Sequence, residues 1–212
     1  MGNLMKKQAH LNKTAILVLT ATLLVGCSVG APSTPTQFYA LQGAETNFLA
    51  SMKIPTSPSL QVGIGPIDIP GYADRAQIVS VANNSKMKIA DFEHWAEPIQ
   101  NNIGRVLVSN IAGLISNKQV YPYPASFQPD PDSLQVSMEI MDMIQSETGM
   151  VRLSVSWNIK TMLNNKLIVR ENSSYSKQAV YGDYTSYASG LSELFALLAV
   201  DVVYSIEKSR SQ

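Results

Sequence analysis

Between Leu134 and Leu163 the sequence alternates apolar and polar residues in two long runs. Leu134, Val136, Met138 and Ile140 fall on one side of the first; Val151, Leu153, Val155, Trp157, Ile159 and Leu163 fall on one side of the second. Successive side chains of a strand point to opposite faces, so a period of two over this length selects strands and excludes helix. Asn164-Asn165 predicts a tight turn into KLIVRENSSYSKQ, and residues 134–178 read as a three-stranded antiparallel meander. Its other face carries Arg152, Ser154, Ser156, Asn158 and Lys160. One side packs and the other meets water or a partner.

A sheet with one apolar face needs something to cover it. Two stretches can do so. In IQNNIGRVLVSNIAGLIS, Ile99, Ile103, Val106, Leu107, Ile111, Leu114 and Ile115 recur at three- and four-residue spacings, an amphipathic helix. From Gly182 to Ser209 a second helix is expected, apolar around much of its circumference from Leu191 to Ile206 but interrupted by Glu193 and Asp201. That apolar stretch is short of a bilayer span, so burial against the sheet is expected of it, with a membrane or partner-binding helix as the competing reading. Upstream, Phe38–Leu41 reads as a short strand, and Leu60, Val62 and Ile64 alternate in another, in which Pro66 marks an edge or a bulge. Two alternating arms flank Asn83-Asn84-Ser85 as a hairpin. The expected class is α+β: an antiparallel sheet of about seven to eight strands with two main helices, in the order ββββ-α-ββββ-α.

At 212 residues, 45% hydrophobic and 15% charged, the chain suits a single globular domain behind its leader. Formal charge is zero overall, but Lys6, Lys7 and Lys13 lie in a first segment with no acid, so 13 bases face 16 acids without it. A mildly acidic product with no basic run has no electrostatic grip on nucleic acid. The first segment has a basic start, an apolar run from Ala15 to Val25 about half a membrane span long, and then small residues, the pattern of a secretory signal. Its end, Leu24-Val25-Gly26-Cys27, resembles the bacterial lipobox. That resemblance implies cleavage between Gly26 and Cys27, a diacylglycerol on the Cys27 sulfur and an acylated amine; Ser28 in the next position implies sorting to the outer membrane, facing the periplasm. Cys27 is the only cysteine, so no intramolecular disulfide and no paired-cysteine metal site can form. The expected organisation is a signal peptide at 1–26, a lipidated N-terminus and Pro/Ser/Thr-rich tether at 27–37, and one domain at 38–212.

The stretch DFEHWAEPIQ, residues 91–100, concentrates the chemically capable side chains: Asp91, Glu93, His94 and Glu97 around Trp95. An imidazole among carboxylates could move protons or bind a metal. Its place between a strand and the first helix offers another reading: Pro98 fits the first helical turn, Glu93 and Glu97 suit the positive end of the helix dipole, and Trp95 packs beneath. His94 is the only histidine after the leader, and the chain has no nucleophile elbow, HExxH or Gly-rich phosphate loop. A structural junction at Trp95, Glu97 and Pro98 is therefore expected, with no catalytic residue, cofactor or metal.

Three segments together carry a family resemblance: Phe38-Tyr39-Ala40-Leu41; Pro70-Gly71-Tyr72-Ala73-Asp74-Arg75-Ala76-Gln77-Ile78-Val79; and Trp95-Ala96-Glu97-Pro98-Ile99 with Arg105 in the following helix. They resemble the signature of the PqiC/YmbA-like ABC-type transport auxiliary lipoproteins; Ala76 stands where a proline is usual there, and His94 where an arginine often precedes the tryptophan. The resemblance implies a non-enzymatic outer-membrane component of a lipid-transport system, working with a PqiB-like MCE-domain protein that bridges the periplasm and a PqiA-like inner-membrane protein. A lipid-binding carrier of the periplasm is the alternative, with the C-terminal helix and the sheet enclosing the ligand. The partner surface expected is the polar face of the meander with the loop around Tyr121 and Tyr123, whose rings offer contact area with a polar tip; the competing reading has both rings covering the sheet edge. Symmetric self-assembly is a further expectation for a subunit serving a ring.

Overall fold

The computed structural model describes residues 33–54, 60–82, 86–115 and 119–210. The leader, Gly26, Cys27, most of the tether and the turn Asn83-Asn84-Ser85 lie outside the described residues. Two compact units divide the chain, Met1–Pro35 and Thr36–Gln212; the fold of the second follows.

Its elements are β1 (Gln37–Tyr39), α1 (Thr46–Ser51), β2 (Val62–Asp68), β3 (Gln77–Ala82), β4 (Lys86–Trp95), α2 (Ile99–Ile115), β5 (Val120–Pro122), β6 (Leu134–Gln145), β7 (Met150–Thr161), β8 (Leu167–Gln178) and α3 (Tyr184–Arg210). The class is α+β, but the expectation of one antiparallel sheet is overturned. The strands form a three-stranded sheet, β1-β4-β3, and a five-stranded sheet, β5-β2-β6-β7-β8. Both are mixed: β1 runs parallel to β4, and β2 runs parallel to both β5 and β6. The expected order fails too, because α1 interrupts the first strands and rests on α2, where a Cβ on Gly113 would come within 2.6 Å of Leu49 Cδ1.

The meander is as the alternation predicts. Val136 faces Ile159 and Met138 faces Trp157 across β6–β7, and Val155 faces Ser173 across β7–β8. The apolar side chains of β7 from Val151 to Ile159 are buried and the polar ones between them are not. Leu163 is the exception: β7 stops at Thr161, and Leu163 lies in the turn, 66% exposed. Asn165 holds that turn with φ 56°, a conformation asparagine tolerates. Between Ile140 and Asp142 the β6–β7 register slips, which keeps Asp142 as well as Met141 off the packed side and brings Met143 onto it.

β2 explains the failure of the single-sheet expectation. Val62, Gly63, Ile64 and Gly65 are all buried, the signature of a strand flanked on both edges and both faces, which alternation does not distinguish from an edge strand. Pro66 is exposed beyond the last residue that pairs with β5, and the β2–β6 register slips between Ile64 and Ile67, so its missing N–H falls in a bulge. Gly65 is required there: its φ is +135°, and a Cβ would lie 2.1 Å from the Tyr123 carbonyl oxygen.

α2 and α3 cover the packed face of the larger sheet, joining Ile103, Leu107, Trp157, Leu191, Phe195 and Val202 in one apolar core. Asp183 starts α3: its carboxylate accepts from the Thr185 N–H at 3.0 Å and the Ser186 N–H at 3.2 Å, while Lys208 and Arg210 occupy the last turn. Counted over its full 27 residues, α3 is long and apolar enough to cross a membrane, contrary to the expectation from Leu191–Ile206 alone. Over half of its most apolar stretch is instead buried inside the domain, where each large apolar side chain contributes about 1.5–3 kcal/mol.

Candidate functional site

The acidic, histidine-bearing stretch is more of a strand than its composition suggests. β4 continues through Trp95 because β1 pairs with its end: Gln37 faces Glu93, Phe38 faces His94 and Tyr39 faces Trp95. The junction shrinks to Ala96, Glu97 and Pro98. Pro98 stands just before α2, not within its first turn, and its carbonyl accepts from the N–H groups of Asn101 at 3.0 Å and Asn102 at 3.3 Å. Trp95 is 5% exposed, its ring 6.0 Å from that of Tyr187.

Glu93, His94 and Glu97 are each engaged by a neighbour, while the Asp91 side chain is exposed. Tyr39 donates to Glu93 Oε2 at 2.5 Å. That hydrogen bond, then burial, pushes the Tyr39 hydroxyl up to about 12. Glu97 pairs with Arg105 one turn into α2 and beyond, a half-exposed bridge of about 0–1 kcal/mol. His94 Nε2 donates to the Asp91 carbonyl at 3.1 Å, and its ring meets Phe38 edge-on at 6.1 Å. Among the described residues no three His, Cys, Asp or Glu side chains cluster as metal ligands.

A recess lies beside this stretch, built from the chain that links β1 to α1. Two buried asparagines of α2 hold that link. Asn102 accepts from the Leu41 N–H at 2.6 Å and donates to the Leu41 carbonyl at 3.2 Å. Asn110 accepts from the Ala44 N–H at 2.8 Å. From α3, Ser192 Oγ accepts from the Gln42 N–H at 3.0 Å and donates to the Ala188 carbonyl at 2.7 Å. Between this pinned segment, α3 and the end of β8 opens a groove of about 880 Å³, lined by Phe38, Ala40, Phe48, Leu194 and Leu197, with the Lys177–Glu193 ion pair on its wall. Its volume and mixed lining suit an apolar ligand with a polar head. A second, more polar groove of about 460 Å³ lies between β8 and the end of α3, around Arg170, Asp201, Tyr204 and Lys208. Tyr175 bridges to α3 by donating to Asp201 at 2.5 Å, and burial followed by that bond raises its hydroxyl well above the usual tyrosine range.

The expected partner surface is corrected in part. Tyr121 is only 8% exposed; its ring lies against Gly63 of β2 and meets Phe127 at 4.9 Å, and its hydroxyl reaches Met162. A ring committed to the sheet edge offers no contact area to a partner. Tyr123 is half-buried, and the polar residues of β7 from Ser154 to Lys160 are partly open.

These segments also identify the chain. The family model for the ABC-type transport auxiliary lipoprotein component matches residues 39–203. The chain belongs to that family, whose members are transport auxiliary lipoproteins and not a known class of enzyme. No curated protein sequence matches it. Its fold is similar to that of an uncharacterized protein known from a crystal structure, at 16% identity and a TM-score of 0.66, covering 82% of this chain and 99% of that one. It is also similar to a Xanthomonas campestris protein of the DUF330 family, at 8% identity and a TM-score of 0.65, covering 83% and 100% respectively.

Sequence reasoning missed the clamp made by Asn102 and Asn110. The signal was present: both fall on the apolar stripe of α2, between Ile99, Ile103, Val106 and Ile111, where a polar side chain calls for a buried partner; Asn102 finds one at both amide atoms and Asn110 at its Oδ1 alone. Tyr72, in the second of the three resembling segments, also has a structural role. Its hydroxyl donates to Asp142 at 2.9 Å and accepts from the Met143 N–H at 2.9 Å, tying the loop before β3 to the bulge of β6. Only the fold brings those residues together.

Proposed function

We propose that this chain is the outer-membrane, periplasm-facing lipoprotein subunit of an intermembrane lipid-transport system. Residues 1–26 act as the signal, acyl chains on Cys27 anchor the product, residues 27–37 form the tether and 38–212 the working domain. It docks to a PqiB-like MCE-domain protein that bridges the periplasm, with a PqiA-like protein in the inner membrane, and contributes to envelope integrity without catalysing a reaction. The observation that carries this reading is the family match over 39–203 directly behind the lipobox-like Leu24–Cys27. The engagement of Glu93, Glu97, Glu193 and Asp201 with structural partners supports a non-catalytic role. The polar outer face of the meander is the docking surface that stays open, and self-assembly of the subunit would repeat it around a ring.

Two measurements test this. Cys27→Ala should abolish fatty-acid labelling and release the protein from its membrane; a variant that still incorporates the label refutes the anchor. Pull-down of the native lipoprotein from solubilised envelopes should enrich an MCE-domain protein, and its absence from a pull-down that recovers intact, acylated bait refutes the docking role. The groove of about 880 Å³ favours a second reading, a carrier that holds a lipid acyl chain. Mass spectrometry of lipid co-purified with the protein separates the two.

A further inference from the structure

The three-stranded sheet carries an apolar strip on its outer face. Phe38 is 65% exposed, and Met87, Ile89 and Phe92 are between 44 and 46% exposed. Simple alternation would put Phe92 on the opposite face from Met87 and Ile89. The β3–β4 register prevents this: Val79 pairs with Ile89 but Gln77 pairs with His94, a slip of three residues that returns Phe92 and His94 to the face of Met87 and Ile89. Phe38 joins the same face through its pairing with His94 and their edge-on ring contact. The irregular register thus gathers into one strip apolar side chains that a regular strand would divide between core and solvent. Lys86 and Lys88 extend from the other face of the hairpin end and are exposed. Asp91 is exposed at the bulge, and the Glu93 carboxylate is held by Tyr39. Charge along the strip nearly balances, so apolar contact must carry any affinity.

What covers the strip follows from where the chain leaves the domain. Gln37 and Phe38 are the first residues of β1, and Phe38 is itself one end of the strip. Eleven residue steps separate Cys27 from Phe38, a Pro/Ser/Thr/Gly-rich stretch that reaches at most about 36 Å even when fully extended. A folded body of this size is about 40 Å across. A tether shorter than the body it holds presents to the anchoring surface the side from which it emerges. We infer that the strip Phe38–Phe92–Ile89–Met87 rests on the phospholipid surface to which the chain is anchored, with its side chains at the boundary between headgroups and acyl chains. The domain is held in one orientation by two contacts, one covalent and one apolar, and the polar face of the meander is left free.

This rests on the acylated Cys27 of the proposed function, and the experiment separates the two. Full-length Ile89→Cys, Phe92→Cys and Leu163→Cys lipoproteins are purified, labelled on the new thiol with an environment-sensitive fluorophore and reconstituted in phosphatidylethanolamine/phosphatidylglycerol vesicles. Cys27 does not compete for label, because its sulfur is taken by the lipid and the chain has no other cysteine. Leu163 is the control: it is apolar and more exposed than either test site, but lies at the β7–β8 turn, whereas Tyr72 ties the small-sheet side to the other end of β6. All three sites are exposed, and circular dichroism checks that each variant is folded.

Probes at 89 and 92 should lose quenching by iodide and gain quenching by shallow doxyl-labelled lipid, with neither change at 163. Aqueous behaviour at 89 and 92 in vesicles that float with the protein overturns the inference while leaving the anchor intact. Equal lipid quenching at all three sites overturns it too, since no face is then selected. Shielding at 89 and 92 that persists in dilute detergent without bilayer makes the strip a contact between protein copies, which also overturns it. Failure of the unlabelled parent to float refutes the anchor, and the orientation falls with it.

Discussion

Replacing Asn102 by alanine removes one side chain and orphans two backbone groups. The Leu41 N–H and carbonyl both lose their partner, at a residue with no solvent exposure and inside the main apolar core. A buried backbone group left without a hydrogen bond costs about 1–3 kcal/mol, so the pair should cost about 2–5 kcal/mol. That is a large part of the roughly 5–15 kcal/mol by which domains are stable, and a fall in Tm of about 5–15 °C follows for a body of this size. Gln100→Ala is the matched comparison. Gln100 also donates from α2 to a backbone carbonyl, that of Ile67, but Gln100 is exposed and water can replace it, so a loss below about 1 kcal/mol is expected. Urea unfolding followed by circular dichroism gives the stabilities, and hydrogen exchange of the Leu41 amide gives the local effect. The reasoning fails if Asn102→Ala costs no more than Gln100→Ala and Leu41 stays as protected as in the parent, because the link from β1 to α1 would then be held by packing alone.

Trp95→Ala should destabilise by about 3–5 kcal/mol in the same urea assay, since a nearly buried indole against Tyr187 leaves a cavity, while half-buried His94→Ala should cost far less; comparable small losses from both would contradict the burial of Trp95. Tyr39, whose hydroxyl is raised to about 12 in the fold against about 10 unfolded, stabilises fully below pH 10 and loses that contribution as pH rises toward 12. Tyr39→Phe should therefore flatten the fall of stability between pH 10 and 12, and an unchanged slope would show that the bond to Glu93 does not govern its titration.

What could be read from the sequence was local. The β7 alternation carried the meander, because each face repeats its own environment at every second residue from Val151 to Ile159. The spacing of Ile99, Ile103, Val106 and Leu107 carried α2 for the same reason at the helical period. What failed depended on neighbours distant in the chain. Nothing in Val62–Ile64 announces that β5 and β6 will flank β2 in parallel, because parallel partners are joined by long crossovers and leave no turn between them. The strand pairing of Glu93–Trp95 depended on β1, more than fifty residues earlier, as did the engagement of Glu93 by Tyr39.

The candidate site shows how residue type misleads when partners are hidden. His94 and its acidic neighbours looked like chemistry because their side chains can perform it, yet Phe38, Tyr39 and Arg105 engage three of those groups in holding the fold. Asn102 looked like an ordinary polar residue on a helix and proves to pin the segment that links β1 to α1. A polar residue on an apolar stripe has to be answered somewhere in the fold, whereas a polar residue among polar neighbours can be answered by water. That asymmetry makes Asn102 and Asn110, more than the cluster at 91–97, the part of α2 and its approach where sequence reasoning had unused information. It also joins the clamp to the tether. Under the proposed anchoring, tension on Cys27 would reach the domain at β1 and meet next the hydrogen bonds of Leu41, Gln42 and Ala44, which fasten this segment to both helices of the core before the chain enters α1.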